Sequence, residues 1–236
     1  MELQITHTTT YRYAGPASQS HNELRLAPLN EGGGGRLDTS GKKVSLSMQV
    51  GEKTVQNYLL ETTNPGGHSS VPRPDNAIYS LTAAVTKVGQ YEFPIQFSDT
   101  TRTFFQRTAE LTGGEMGKAL TAVLANPDDK AADAIVSKDA SFHSMLRTTC
   151  VATMLDAGHA MNALPQRARA VVNCRVFPGV SVDTVKAELD RIIGDPSVSV
   201  TKIEPIRPMA VPPPLSPKVF GPAEKLAAKH FPGVPM

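Results

Sequence analysis

Residues Arg167 to Phe177 read RARAVVNCRVF, and the spacing of their side chains decides the fold. Ala168, Ala170, Val172, Cys174 and Val176 fall on one face, and Arg169, Val171, Asn173 and Arg175 on the other. A period of two with β-branched residues is the pattern of a strand, so Arg175 points away from the face that holds Cys174. On the near side, Thr149 to Leu155 has the same strand character. On the far side, Ser181 caps a helix carrying Val182, Val185, Leu189, Ile192 and Ile193 at helical spacing, and a last strand follows at Ser197 to Ile203.

Further upstream, Lys53 to Thr62 (KTVQNYLLET) reads as a strand that Asn64, Pro65, Gly66 and Gly67 turn back. Asp75 is placed to cap a helix whose inner face is Ala77, Ile78, Leu81, Ala84, Val85 and Val88, with Gly89 ending it. Ser98 to Arg147 is helical in short pieces broken by Gly113, Gly114 and Pro127, with Leu120, Val123 and Leu124 as one apolar stripe. The order β, α, helical insertion, β, β, α, β predicts an α+β unit: an antiparallel sheet with helices on one face.

The 236 residues allow one large domain or one domain with an appendage. At 40% hydrophobic and 19% charged, they can build a core and do not carry the composition of disorder. A formal charge of +2 with no basic run argues against a nucleic-acid binder. No window approaches a membrane span and MELQITHTTTYRY does not read as a signal peptide, which predicts a cytosolic protein. Cys150 and Cys174 lack CxxC spacing and sit in apolar stretches, which predicts reduced core thiols. Gly32 to Gly35 and the prolines between Pro205 and Pro217 read as junctions flanking the middle unit.

The chain contains no HExxH, no His-x-Asp with a Glu-Glu pair, and no GK[ST] after its glycine run, so neither a metal centre nor a phosphate loop is legible from motifs. The spacing of Cys150 and His159 does not single them out as nucleophile and base. His68 follows the Asn64 to Gly67 turn and is predicted on an exposed strand-to-helix turn, where function concentrates. Arg175 offers a planar fork suited to a carboxylate, or is an ordinary edge-strand charge. Asn162, in NALP, is by itself a turn former.

Taken together, Leu29-Asn30-Glu31-Gly32-Gly33, the stretch NPGGHSSVPRPDNAIY from Asn64, NALPQRARAVVNCRVFPG from Asn162, and the proline-rich exit resemble one family. It is the family of zinc-dependent metallopeptidases that includes aminoacylase, carboxypeptidase G, acetylornithine deacetylase and succinyl-diaminopimelate desuccinylase. The resemblance covers about residues 29–236. It implies a ferredoxin-like lid, or dimerisation, domain at 51–203, flanked by fragments of an α/β catalytic domain at 29–50 and 204–236. It further implies that Glu31 binds metal, that His68 stabilises the oxyanion in a partner subunit's active site, and that Asn162 and Arg175 hold substrate.

The family's other metal ligands and its general base have no match in this sequence. The resemblance therefore implies a truncated chain that binds no zinc stably and does not hydrolyse peptide or N-acyl amino acid amides alone, while keeping the homodimer surface. The alternative is a non-enzymatic module that forms mixed dimers with a full-length paralogue. Residues 1–28, with ITHTTTYRYAGPASQSHNELRLAP, resemble the N-terminal region of bacterial transglutaminase-like proteins.

Overall fold

The computed structural model describes residues 35–37, 43–212 and 214–236. A small hairpin comes first: β1 (Gly35–Leu37) pairs antiparallel with β2 (Lys43–Leu46). The main unit then runs β3 (Thr54–Thr63), β4 (Gly67–His68), α1 (Ala77–Gln90), four helices, β5 (Thr149–Ala157), β6 (Ala163–Leu164), β7 (Arg167–Val176), α6 (Val182–Ile193) and β8 (Val198–Ile203). The four intervening helices are α2 (Asp99–Thr112), α3 (Gly114–Ala125), α4 (Lys130–Val136) and α5 (Ala140–Leu146).

The four long strands form an antiparallel sheet in the order β5-β7-β3-β8. Numbered along the chain, these are the second, third, first and fourth strands, the βαββαβ arrangement of a ferredoxin-like sheet. The alternation read in the sequence is the physical cause. On β7, Ala168, Ala170, Val172, Cys174 and Val176 are buried, and on β3 so are Gln56, Tyr58, Leu60 and Thr62. Those faces meet Leu81, Ala84 and Val88 of α1 and Val185, Leu189 and Ile193 of α6 in one core. The Tyr58 hydroxyl, buried in that core, donates to the Val182 carbonyl at 2.7 Å and joins the sheet to the first turn of α6.

The insertion has its own core, built from Phe105, Leu120, Val123, Val136, Phe142 and Leu146 with edge-to-face contacts among Phe104, Phe105 and Phe142. Its ends close on each other, because Gln96 N–H donates to the Leu146 carbonyl at 2.7 Å. Polar groups join it to the sheet. Buried Arg147 pairs with Asp133 and reaches Glu92 at 3.3 Å, while Lys53 donates to the carbonyls of Ser144 and Arg147.

Three sequence expectations change. Cys150 and Cys174 are not reduced thiols: they are directly opposed on β5 and β7 and form a disulfide. The β5–β7 register brings together two cysteines 24 residues apart, which spacing alone does not reveal. With the thiols bridged, the cysteines no longer support a cytosolic setting. The α1 cap is Asn76, whose side chain accepts from Ile78 N–H, while Asp75 instead pairs with Arg73 and Asn64. Finally, the proline-rich exit leads into a helix, α7 (Pro217–His230), that opens with Pro217 in its first turn, a position where proline costs no hydrogen bond. Among the described residues, no helix is long and apolar enough to cross a membrane.

Candidate functional site

The NPGGH stretch builds a tight corner at one end of the sheet. Asn64 Oδ1 accepts from Gly66 N–H at 2.9 Å, and Asn64 N–H donates to the Gln166 carbonyl at 2.9 Å. Gly66 has φ +80°, and a Cβ there would lie 2.7 Å from Gln166 Cγ, so both conformation and space demand glycine. The chain then runs into β4, which pairs with β6: Gly67 opposes Leu164 and His68 opposes Ala163. His68 thus sits on a short, exposed strand rather than on a strand-to-helix turn.

This ladder brings His68 and Asn162 together. Ser69 N–H donates to the Asn162 carbonyl at 2.9 Å, one step beyond the His68–Ala163 pair. His68 Nδ1 accepts from Ser70 N–H at 3.2 Å and lies 2.8 Å from Ser70 Oγ. A backbone N–H can only donate, so the neutral ring carries its proton on Nε2. Nε2–H is then the free end of an exposed imidazole, oriented by its other nitrogen, and can donate to a developing oxyanion. Asn162 is also exposed.

Arg175 is elsewhere. It stands exposed near the C-terminal end of β7, opposite Thr149 of β5 and Val55 of β3, whereas the His68 corner adjoins the Arg167–Thr63 pair. Eight residue steps along the strand separate Arg167 from Arg175, roughly 26 Å at the usual rise. Since β7 lies between β5 and β3, Arg175 is not an edge-strand charge. Near it, burial first, and then the positive charges of Arg175 and Arg147, lower the Lys53 ammonium to about 8. Of these three cations, Arg147 is paired with Asp133 and Glu92 and Lys53 is bonded to backbone carbonyls, while Arg175 is exposed.

An open, polar hollow that motif reading did not find lies at the His68 end, lined by Thr63, Asp156, Gly158, His159, Gln166 and Arg167. Its residues come from three separate stretches, so no local spacing signals it. Glu31 lies outside the described residues. Among the described residues, no group of three or more His, Cys, Asp or Glu side chains is placed to hold a metal ion. The described residues do not fit a dinuclear zinc centre.

The outer surface beside β5 is largely apolar from Val151 to Leu155, with Asp156 as the one charged residue of the strand. β5 is an edge strand of nine residues, TCVATMLDA, with Val151, Met154 and Leu155 between 58% and 67% exposed. It contains neither Lys nor Pro, two common guards of a solvent-facing edge, although a register shift between Ala152 and Met154 bends it. Next to it, α1 exposes Tyr79, Thr82, Ala83, Thr86 and Gln90. The one charged residue of α1, Lys87, turns toward α6 and donates to the Ile193 carbonyl. By contrast, α6 carries Asp183, Lys186, Glu188, Asp190 and Arg191, the pattern of a solvated face.

Comparison with known proteins gives a consistent assignment. The chain is 30% identical over 196 residues to the human N-fatty-acyl-amino acid synthase/hydrolase PM20D1 (Homo sapiens), covering 80% of this chain and 38% of that protein. It is 29% identical over 190 residues to a probable carboxypeptidase S-like 2 from Dictyostelium discoideum, covering 80% of this chain and 36% of that one. The chain thus spans well under half the length of these relatives. In fold it is similar to the M20 family metallo-carboxypeptidase Sso-CP2 from Sulfolobus solfataricus, with a TM-score of 0.52 and 17% identity over 86% of this chain and 54% of that structure. A model described as the bacterial transglutaminase-like N-terminal region matches residues 3–48, a stretch that includes Glu31. The peptidase dimerisation domain model matches residues 50–201, and on that match the chain belongs to the M20 peptidase dimerisation-domain family.

Proposed function

We propose that this chain is a self-pairing lid of the M20 hydrolase type, in which dimerisation through β5 and α1 assembles a substrate-capping site from two copies. The observation that carries this reading is the apolar stretch of an open edge: Val151, Met154 and Leu155 are exposed on a strand whose one charged residue, Asp156, lies near its far end, beside a helix whose one charged residue, Lys87, is engaged with α6. Two β5 edges related by a two-fold axis perpendicular to the sheet would continue it antiparallel and set α1 against its copy, an isologous contact.

Topology then assigns a consequence. Antiparallel pairing of the β5 edges brings the C-terminal end of β5 in one copy beside its N-terminal end in the other. Ala157 opposes Ala168 near the His68 corner, and Thr149 opposes Arg175. One copy's His68 and Asn162 would therefore approach the end of the sheet that carries the other's Arg175. Arg175 would hold a substrate carboxylate, Asn162 would bind an adjacent polar group, and His68 Nε2–H would donate to the oxyanion. The substrate class that fits is a peptide or N-acyl amino acid with a free carboxylate, in keeping with the names of the relatives.

Hydrolysis needs a metal-bearing domain besides this lid, and the described residues do not assemble one. That observation favours a second arrangement, a mixed dimer in which a longer relative supplies the catalytic domain and this chain supplies His68 in trans. The test is complementation. A full-length relative inactivated at its own lid histidine is mixed with this chain, and amide hydrolysis is measured. Recovery of turnover with the wild-type chain and none with His68→Ala supports the role; equal turnover with both, or with neither, rejects it.

A further inference from the structure

The Cys150–Cys174 bridge lies where the proposed interface begins. Cys150 is the second residue of β5, and Cys174 opposes it on β7. As an edge strand, β5 receives ladder hydrogen bonds from one side only, and its register shifts between Ala152 and Met154. The first residues of β5 follow buried Thr148, whose Oγ1 accepts from Phe177 N–H at 3.0 Å, and are themselves held by a short ladder up to the shift, by partial burial of Cys150 against the main core, and by this covalent link. Beyond Cys150, the side chains from Val151 to Asp156 are exposed and bury little that would anchor them.

We infer that the Cys150–Cys174 disulfide is a thiol–disulfide exchange site that sets the order of the β5 edge, and with it the strength of self-association. The inference rests on the proposed β5 interface for its second half only; the ordering of β5 is a property of the single chain. Cys174 is fully buried and Cys150 only partly, so exchange enters at Cys150 Sγ. A small-molecule thiolate attacks that sulfur, the S–S bond breaks, and Cys174 leaves as a thiolate that takes up a proton. A second thiol then attacks the external sulfur of the mixed disulfide and releases Cys150. Two electrons pass from two small thiols, which become one small-molecule disulfide, and the protein gains two S–H groups. The leaving Cys174 sulfur is surrounded by apolar side chains, which disfavour its thiolate and make this bridge slow to reduce. Once reduced, both thiols remain small apolar groups at the core, so the fold persists while the edge loosens.

The experiment compares the intact chain oxidised with glutathione disulfide and reduced with a phosphine. Thiol titration of the denatured protein reads the bridge, amide hydrogen exchange reads residues 149–157, and sedimentation reads self-association. The expected results are no free thiol before reduction and two after it, exchange in residues 149–152 faster by about tenfold on reduction with α6 unchanged, and a dimer dissociation constant raised by about tenfold. Cys150→Ala should reproduce the reduced behaviour with no reductant present. Two free thiols after oxidation, or equal exchange in both states, would overturn the inference. A monomer in both states with redox-dependent exchange would reject the interface and uphold the ordering of β5; a dimer of equal strength in both states would reject the link between redox state and association.

Discussion

At the scale of single residues, the polar join between insertion and sheet is the most exacting feature. Burial pushes the Asp133 carboxyl up, but hydrogen bonds from Arg147 and Ser137 outweigh it and hold the carboxyl below its ordinary value. A carboxylate depressed in the folded state adds stability above its unfolded pKa, and that stability is lost as pH falls through about 3.8 and below. Asp133→Ala leaves Arg147 buried with only the exposed Glu92 as an ionic partner, and should cost about 3–5 kcal/mol in chemical denaturation. A loss under 1 kcal/mol would contradict this account. Lys53 has the same sign in a higher window: with its folded pKa lowered to about 8, the folded state binds fewer protons than the unfolded one between there and 10.5. Wild type should therefore gain stability relative to Lys53→Met as pH rises across that window. None of this was legible from spacing, because Lys53, Asp133 and Arg147 meet only once the insertion closes. The turn that precedes His68 was legible in Asn64 to Gly67, whereas the site roles of His68 and Asn162 came from the resemblance alone. The Cys150–Cys174 link was not, since it depends on register between two strands.

At the scale of elements, period-two and period-3.6 patterns located β3, α1, β7, α6 and β8 to within a residue or two, because each has one face in the core and one outside. The helix α7 escaped notice: Pro222 lies within it, prolines crowd its approach, and none of its residues is buried, so no apolar face announces it. The edge strand β5 was found, but its position was not, because strand order follows from long-range pairing. That position makes a prediction specific to β5. Val151→Lys with Met154→Lys places charge on exposed side chains, so monomer stability should change by less than about 0.5 kcal/mol, while self-association is lost. Circular dichroism and sedimentation on the same sample check both; loss of folding together with association would refute the claim that these side chains serve the interface.

At the scale of the whole molecule, two cores share one chain, and this division sets what can be removed. The insertion core is closed by the contact between Gln96 and Leu146, so a short glycine-serine linker across that gap should leave the sheet, α1 and α6 folded and still able to pair. Retention of a cooperative unfolding transition in this shortened chain is the expected outcome; a molten product would mean that the sheet depends on the insertion core. Pairing itself is the central claim, because it alone places His68 and Asn162 of one copy near Arg175 of another. The most direct measurement is sedimentation equilibrium of the oxidised chain across the micromolar range, alongside the Val151→Lys, Met154→Lys variant. The account predicts a monomer–dimer equilibrium for wild type and a monomer throughout for the variant; a wild-type monomer at every concentration, or a dimer unchanged by the two lysines, would contradict it.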